Sequence, residues 1–282
     1  MSYLKTITVA AVSGIIFLLS FNAHNAQAQG LYAKLSGGYN VGIGSQNGYK
    51  MVYTSTLDPV TNVWHNKEEA ERVKVNFGKG FTGSIGIGYM FTEQLGAEME
   101  AGYLAGGKNH TSFHRISNPD PDITTLINTE MHAQMVVFKP SIVMVTKLSE
   151  SLNLHGKFGI VTGKGTLFVN DKMSGRGELV QEAEYYGGWG FGLQGGLGLD
   201  YKINTNYEVF SEIKMSNLSY APTKYRLTKQ MHNGVDDLYP AEQEEVSLEN
   251  AYTNVDSQNQ VSLKQPFNFS TASLNVGLKY NF

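Results

Sequence analysis

The side chains best placed to do chemistry in this 282-residue sequence are ten charges that recur at every second position inside otherwise apolar stretches. Five are lysines (Lys34, Lys139, Lys157, Lys214, Lys279) and five are carboxylates (Glu98, Glu100, Asp200, Glu208, Glu212). Residues spaced by two lie on one face of a strand, so all ten belong to the polar face of a sheet. Charges taken out of water are costly unless they are paired. Equal numbers of each sign therefore predict ion pairs that fill an enclosed space. A water-filled path lined by the same charges is the alternative. His155 shares this phase with Lys157. Beside a carboxylate the two could exchange protons, and a hydrogen-bonded interior histidine is the simpler expectation. A second group, His110, His114, Asp120 and Asp122, has the donor types of a divalent metal site. Pro119 and Pro121 between them fix no ligand geometry, so no metal or cofactor is assigned and a solvated loop is expected.

The elements that must position these residues are short and alternating. Period-two segments cover 31–42, 77–91, 95–106, 132–147, 152–162, 185–201, 207–215 and 267–282. The sixth puts Trp189, Phe191, Leu193, Leu197, Leu199 and Tyr201 on one face and glycines, Gln194 and Asp200 on the other. Pro140 cannot donate to a ladder, and a local bulge is expected there. Tight turns at 92–94, 148–151 and 204–206 alternate with long polar loops at 43–76, 107–131, 163–184 and 219–266. A hairpin within the fourth loop, 225–229 with 246–250, would extend beyond the sheet or raise the strand number to ten. An alternating sheet whose polar face is crowded with glycine and serine fits a narrow closed barrel, whose interior just holds side chains.

Composition bounds the setting. A net charge of −3 gives no reason to expect a nucleic-acid partner, and no cysteine is available for disulfides, thiol catalysis or thiolate metal sites. Lys5, the apolar run 9–21 and the small-x-small triplet Ala26-Gln27-Ala28 read as a cleavable export signal over 1–28, leaving a single domain over 29–282. Beyond residue 28 no apolar run is long enough for a spanning helix. Tyr39, Tyr89, Phe91, Tyr103, Trp189, Tyr201, Tyr207, Tyr280 and Phe282 fall near segment ends, where aromatic girdles sit at a membrane–water boundary.

The last segment carries a resemblance. Its even residues Leu274, Val276, Leu278, Tyr280 and Phe282 are apolar and it stops on an aromatic. Together with the export triplet and the eight alternating segments, this ending resembles the small outer-membrane β-barrel family, the OmpA-type transmembrane domain and its single-domain relatives. The resemblance implies an all-β, eight-stranded antiparallel transmembrane β-barrel in the cell outer membrane, with long loops facing outward. It also implies that the ending is an assembly signal read by the barrel-assembly machinery, and that outer-membrane lipid and lipopolysaccharide are partners. The family's wall-linking role is not carried over, since the resemblance stops at Phe282. Lys224, Arg226 and Lys229 are candidates for lipid phosphates, the acidic stretch 236–245 for divalent ions or a solvated loop, and Tyr53, Trp64 and Tyr252 for a sugar-stacking platform. His110-Thr111-Ser112 with Glu130 resembles the His and Ser of outer-membrane lipid A deacylases. Those enzymes need the pair on a strand surface with a carboxylate orienting the histidine, whereas this triplet falls in a segment read as loop. The expected function is a non-enzymatic barrel that contributes to membrane integrity and presents surface loops for recognition or adhesion, its surface ligand unidentified. A narrow porin-like channel is the alternative, and a lipid-modifying enzyme the third.

Overall fold

A computed structural model of the chain describes residues 30–118, 124–175, 177–238, 245–250 and 261–282. It is all-β: among the described residues there is no helix, and seventeen strands join in one hydrogen-bonded sheet. In chain order they are β1 (Leu31–Gly42), β2 (Gln46–Leu57), β3 (Trp64–Val75), β4 (Gly80–Met90), β5 (Leu95–Gly106) and β6 (Asn109–Asn118). Then follow β7 (Thr125–Lys147), β8 (Leu152–Ser174), β9 (Glu178–Tyr186), β10 (Gly190–Lys202), β11 (Tyr207–Tyr220) and β12 (Lys224–His232). The last are β13 (Val235–Asp236), β14 (Val246–Glu249), β15 (Val261–Leu263), β16 (Phe267–Asn268) and β17 (Thr271–Asn281).

Eight strands close on themselves in the order β1, β4, β5, β7, β8, β10, β11, β17 and back to β1, each antiparallel to its neighbours. Closure removes the free edges that an open sheet would offer to other chains. β1 and β5 begin and end where alternation begins and ends in the sequence. The three tight turns lie at one end of the ring. Thr92 Oγ1 accepts from the amides of Gln94 and Leu95, and Asn204 Oδ1 accepts from those of Asn206 and Tyr207. These are the local side-chain turns that Asn and Thr favour.

Two details differ from expectation. No bulge accommodates Pro140: the ladder from β7 to β8 skips Lys139 and Pro140 and resumes at Ser141 opposite Gly159 with its register unchanged. The missing amide is thus absorbed by a two-residue gap. The sixth segment is also not one strand. The chain breaks at Gly187 and Gly188, whose φ values of 77° and 71° suit glycine, and this kink carries it from β9 into β10.

The largest correction concerns the long loops, most of whose described residues form strands. β7 and β8 are 23 residues each, and their far halves leave the ring still paired, from Leu126 opposite Ser174 to Met135 opposite Gly165. On one side β6 joins β7, β2 runs parallel to β6, and β3 pairs with β2. On the other side β9 joins β8 and β12 joins β9, with β14 and β15 beyond. The hairpin expected within the fourth loop reduces to two pairs, Tyr225 with Val246 and Lys224 with Ser247. It belongs to this extension and leaves the ring at eight.

The hydrophobic phase inverts where the ring ends. Within the ring, β8 turns Leu154, Phe158 and Ile160 outward and His155 and Lys157 inward. Beyond it, the inward positions Leu167 and Val169 are apolar and the outward positions Lys164, Thr166 and Asn170 are polar, with Phe168, stacked on His132, the outward exception. β11 inverts likewise, with Val209, Ile213 and Met215 outward below and Leu218 and Tyr220 buried above. The inverted residues join their neighbours in an extended apolar core among the described residues: Val75, Phe77, Leu104, Ala133, Met135, Val137, Val161, Leu167, Leu218, Tyr220 and Phe269. Tyr220 is completely buried, and its hydroxyl donates to the carbonyls of Gly165 at 2.6 Å and Gly187 at 2.8 Å. This apolar layer caps the ring at the end away from the tight turns.

Candidate functional site

Beneath the cap, the polar face of the ring strands converges inward. Alternation sends every second residue there, and the inward glycines let the walls approach. A Cβ on Gly192 would lie 1.8 Å from the Asn217 carbonyl oxygen, and one on Gly159 2.1 Å from that of Pro140. The remaining volume is filled by long charged side chains, whose apolar stems pack while their heads pair.

All ten sequence-derived charges stand inside the ring, and Lys157 is their hub. Its Nζ donates to Glu98 Oε1 at 2.7 Å, lies 3.0 Å from Glu212 Oε1 and 3.9 Å from Glu100 Oε2. Lys34 adds a contact to Glu98 at 3.3 Å and lies over the Phe210 ring at 4.1 Å. Glu100 also takes Lys139 at 3.0 Å and Lys214 at 3.1 Å, and Lys214 reaches Glu212 at 3.7 Å. Nearer the tight turns, Lys279 pairs with Glu208 at 2.8 Å and lies 4.9 Å from the Tyr32 ring centroid.

One carboxylate does not pair as charge counting suggests. Among the described residues Asp200 has no lysine within salt-bridge distance, and its partner is His155 Nδ1 at 2.8 Å. His155 Nε2 lies 3.8 Å from Glu212 Oε1, too long for a hydrogen bond. Among the described residues His155 Nε2 and both Glu212 oxygens are buried without a hydrogen-bond partner. Glu212 is therefore held by charge contacts alone. Tyr32, whose hydroxyl donates to Glu98 Oε2 at 2.9 Å, and Gln194, which donates to Ser141 Oγ at 2.8 Å, complete the interior. Their even-numbered phase within β1 and β10 was the available signal for both.

The interior voids are small. A cavity of about 40 Å³ lies between the cap and the charges, and another of about 10 Å³ lies beside Tyr32, His155 and Asp200. These hold a few water molecules at most. The arrangement can fill, bind together and insulate the ring.

Outside the ring the other candidates separate. His110-Thr111-Ser112 is on β6, not in a loop, and Glu130 on β7 is directly opposite His110. His110 Nδ1 is 3.9 Å from Glu130 Oε2, while Lys108 holds the same carboxylate at 2.7 Å and depresses its pKa. No hydrogen bond joins Ser112 to His110 among the described residues. Lys224, Arg226 and Lys229 are each engaged by a carboxylate: Glu245, Glu184 at 2.9 Å and Glu182 at 3.0 Å. Tyr53 pairs across from Glu68 and Trp64 across from Leu57, at separate points of the β2–β3 hairpin, so they form no shared platform. Among the described residues no three His, Cys, Asp or Glu side chains cluster as metal ligands. Asp120, Asp122, Tyr252, most of the acidic stretch (239–244) and the whole export signal lie outside the described residues.

The residues of the last alternating segment close the ring. Leu274, Val276 and Leu278 pair with Tyr39, Gly37 and Leu35 of β1 and face outward. Tyr280 stacks edge-on to Phe282 at 4.9 Å, and the Phe282 amide donates to the Leu31 carbonyl at 3.0 Å.

Residues 13–282 match the family model described as outer membrane protein beta-barrel domain. Among solved structures the chain is similar to Neisserial surface protein A, NspA, at 10% identity and a TM-score of 0.39, over 90% of this chain and 99% of that one. It is also similar to the outer membrane protease OmpT from Escherichia coli, at 11% identity and a TM-score of 0.34, over 93% of this chain and 99% of that one. No curated protein matches. Neither structural likeness is near enough to speak to activity.

Proposed function

The chain belongs to the outer membrane protein β-barrel domain family, and on that premise we propose that its eight-strand ring spans the outer membrane as a sealed, non-enzymatic barrel. In this reading it contributes to envelope integrity and presents the strand-built extension outward for recognition or adhesion. The observation that carries the reading is the packed interior: a paired charge network below an apolar cap, with small cavities of about 40 and 10 Å³ beside the charges. Eight strands enclose little more than the volume of their own side chains, so function falls to the surface.

The outer wall supports the membrane placement. Outward apolar residues run from Val136 to Met144 on β7 and from Leu31 to Val41 on β1, with similar spans around the ring. Those lengths match the roughly 9–11 residues a tilted strand needs to cross a bilayer. Exposed aromatics border the belt at both ends. Tyr39, Phe81, Tyr103 and Trp189 lie near the cap, and Tyr201, Tyr207 and Phe282 near the tight turns, where Tyr89 and Tyr280 are half-buried beside them. The phase inversion on β8 and β11 marks where lipid gives way to water.

Epitope tags test the orientation. A tag in the β2–β3 turn at 58–62 is expected to be stripped by protease on intact cells, and one at 204–206 only after the outer membrane is opened. Equal sensitivity of the two on intact cells would overturn the reading.

A further inference from the structure

We propose that the extension carries a binding site for a small, uncharged aromatic molecule bearing a hydrogen-bond acceptor, in a cup directly above the apolar cap. The proposal rests on reading the extension as a recognition surface, and it names the chemistry that surface would select.

The cup has a volume of about 510 Å³, within the range of roughly 300–1,000 Å³ for small-molecule sites. It is formed by the inward residues of the extension where the hydrophobic phase has inverted. Met131, Leu167 and Val169 supply the wall on β7 and β8, Tyr185 and Tyr225 the wall on β9 and β12, and Phe267 lies across from them. No charged side chain lines it among the described residues. A formal charge on the guest would lose its hydration without gaining a partner.

Three aromatic rings set the shape. Tyr185 and Tyr225 are 4.8 Å apart with planes tilted by 53°, and Tyr185 meets Phe267 at 6.2 Å and 65°. Rings in such varied orientations offer both faces and edges to an aromatic guest. Four uncharged polar side chains also line it, Ser262, Gln265 and the two tyrosines, and the tyrosine hydroxyls are the donors carried on the aromatic wall itself. Neither hydroxyl has a hydrogen-bond partner among the described residues, although each ring is largely buried. Burial first, then the charges of Tyr225 and Asp171, push the Tyr185 hydroxyl up; burial and Asp171 do the same for Tyr225. Both therefore stay protonated and present donors, and the nearby Asp171 carboxylate disfavours an anion. Such a guest would be held at the outer mouth, because the cap closes the way beneath it.

The test uses the purified full chain in lipid nanodiscs, with empty nanodiscs to subtract partitioning. Three probes are titrated: 1-acetonaphthone (one carbonyl acceptor), naphthalene (none) and 1-naphthoate (anionic). Saturable one-site binding of the ketone is expected, about fivefold tighter than naphthalene for the gain of a hydrogen bond and about tenfold tighter than naphthoate for the charge. Tyr185→Phe with Tyr225→Phe keeps the rings and should weaken the ketone about twofold or more while leaving naphthalene unchanged, Ser262 and Gln265 remaining as donors. Val169→Trp, which fills the cup, should abolish saturable binding. Ketone binding no greater than in empty nanodiscs, binding indifferent to Val169→Trp, or naphthoate binding as tightly as the ketone would each overturn the proposal. Ion conductance of the same preparation reads the sealed barrel separately. Silence with no probe binding removes only the cup, and conductance with saturable binding removes only the sealed-barrel reading.

Discussion

Replacing Lys157 by methionine keeps the length of the side chain and deletes the charge at the hub of the interior. The consequences differ for its two nearest carboxylates. Glu98 retains Lys34 at 3.3 Å and the Tyr32 hydroxyl at 2.9 Å. Glu212 retains two longer contacts, Lys214 at 3.7 Å and His155 at 3.8 Å, and neither of its oxygens has a hydrogen bond. Removing one partner from a buried ion pair costs roughly 3–5 kcal/mol, mostly because the other charge stays buried and uncompensated. With Glu98 still held, the lower end applies, and Lys157→Met should destabilise the barrel by about 3 kcal/mol. The uncompensated charge falls on Glu212, so adding Glu212→Gln should recover more than half of the loss and adding Glu98→Gln much less. Urea unfolding from lipid vesicles, followed by Trp189 emission in a Trp64→Phe background, reads each variant. A single-variant loss below about 0.5 kcal/mol, the scale of an exposed pair, or equal rescue by the two second substitutions, would refute the assignment of Lys157 as hub.

Other expectations follow from the same interior and surface. Gly192→Ala forces a Cβ against the Asn217 carbonyl and should cost about 1–3 kcal/mol, whereas Gly195→Ala, whose Cβ would meet nothing nearer than 3.6 Å, should be close to neutral in the same unfolding assay. Phe282→Ala should lower the amount of folded protein in the outer membrane several-fold while purified, refolded protein keeps its strand content by circular dichroism; an unchanged membrane level would contradict an assembly role for the terminal aromatic. A fluorophosphonate probe should leave Ser112 unlabelled, and His110→Ala should change no lipid turnover, because Lys108 competes for Glu130 and no hydrogen bond primes the serine. Stoichiometric labelling of Ser112 would reverse the non-enzymatic reading.

The ring was legible in the sequence because two solvents impose one strict period. Lipid outside and packed polar groups inside leave no freedom at alternate positions, so β1 and β5 could be read to the residue. The ten interior charges were legible for the same reason: a lysine such as Lys279, surrounded by Leu278 and Tyr280, can only face inward. Its partner was not legible, since pairing depends on which strands are neighbours and at what register. The His155–Asp200 contact shows this, being set by β8 lying beside β10. The extension was missed for a physical reason that is itself informative. Past the rim the outside becomes water and the inside becomes an apolar cap, so Leu167 and Val169 take the phase that Lys157 holds below. A sequence reader following one phase sees the strand stop, when only the solvent has changed. β6, and with it the strand placement of His110 and Ser112, was hidden because its sequence NHTSFHRISN is polar on both faces and shows no alternation, while Pro140 misled in the opposite direction by suggesting a bulge where the ladder simply skips.

Planar-bilayer recording of the purified full chain tests the sealed interior most directly. With Lys157 bridging three carboxylates and the apolar layer around Phe77, Met135 and Tyr220 above it, no stepwise conductance should appear at any moderate voltage, in low or high salt. A steady, voltage-independent open level carried by single inserted barrels would contradict a sealed interior.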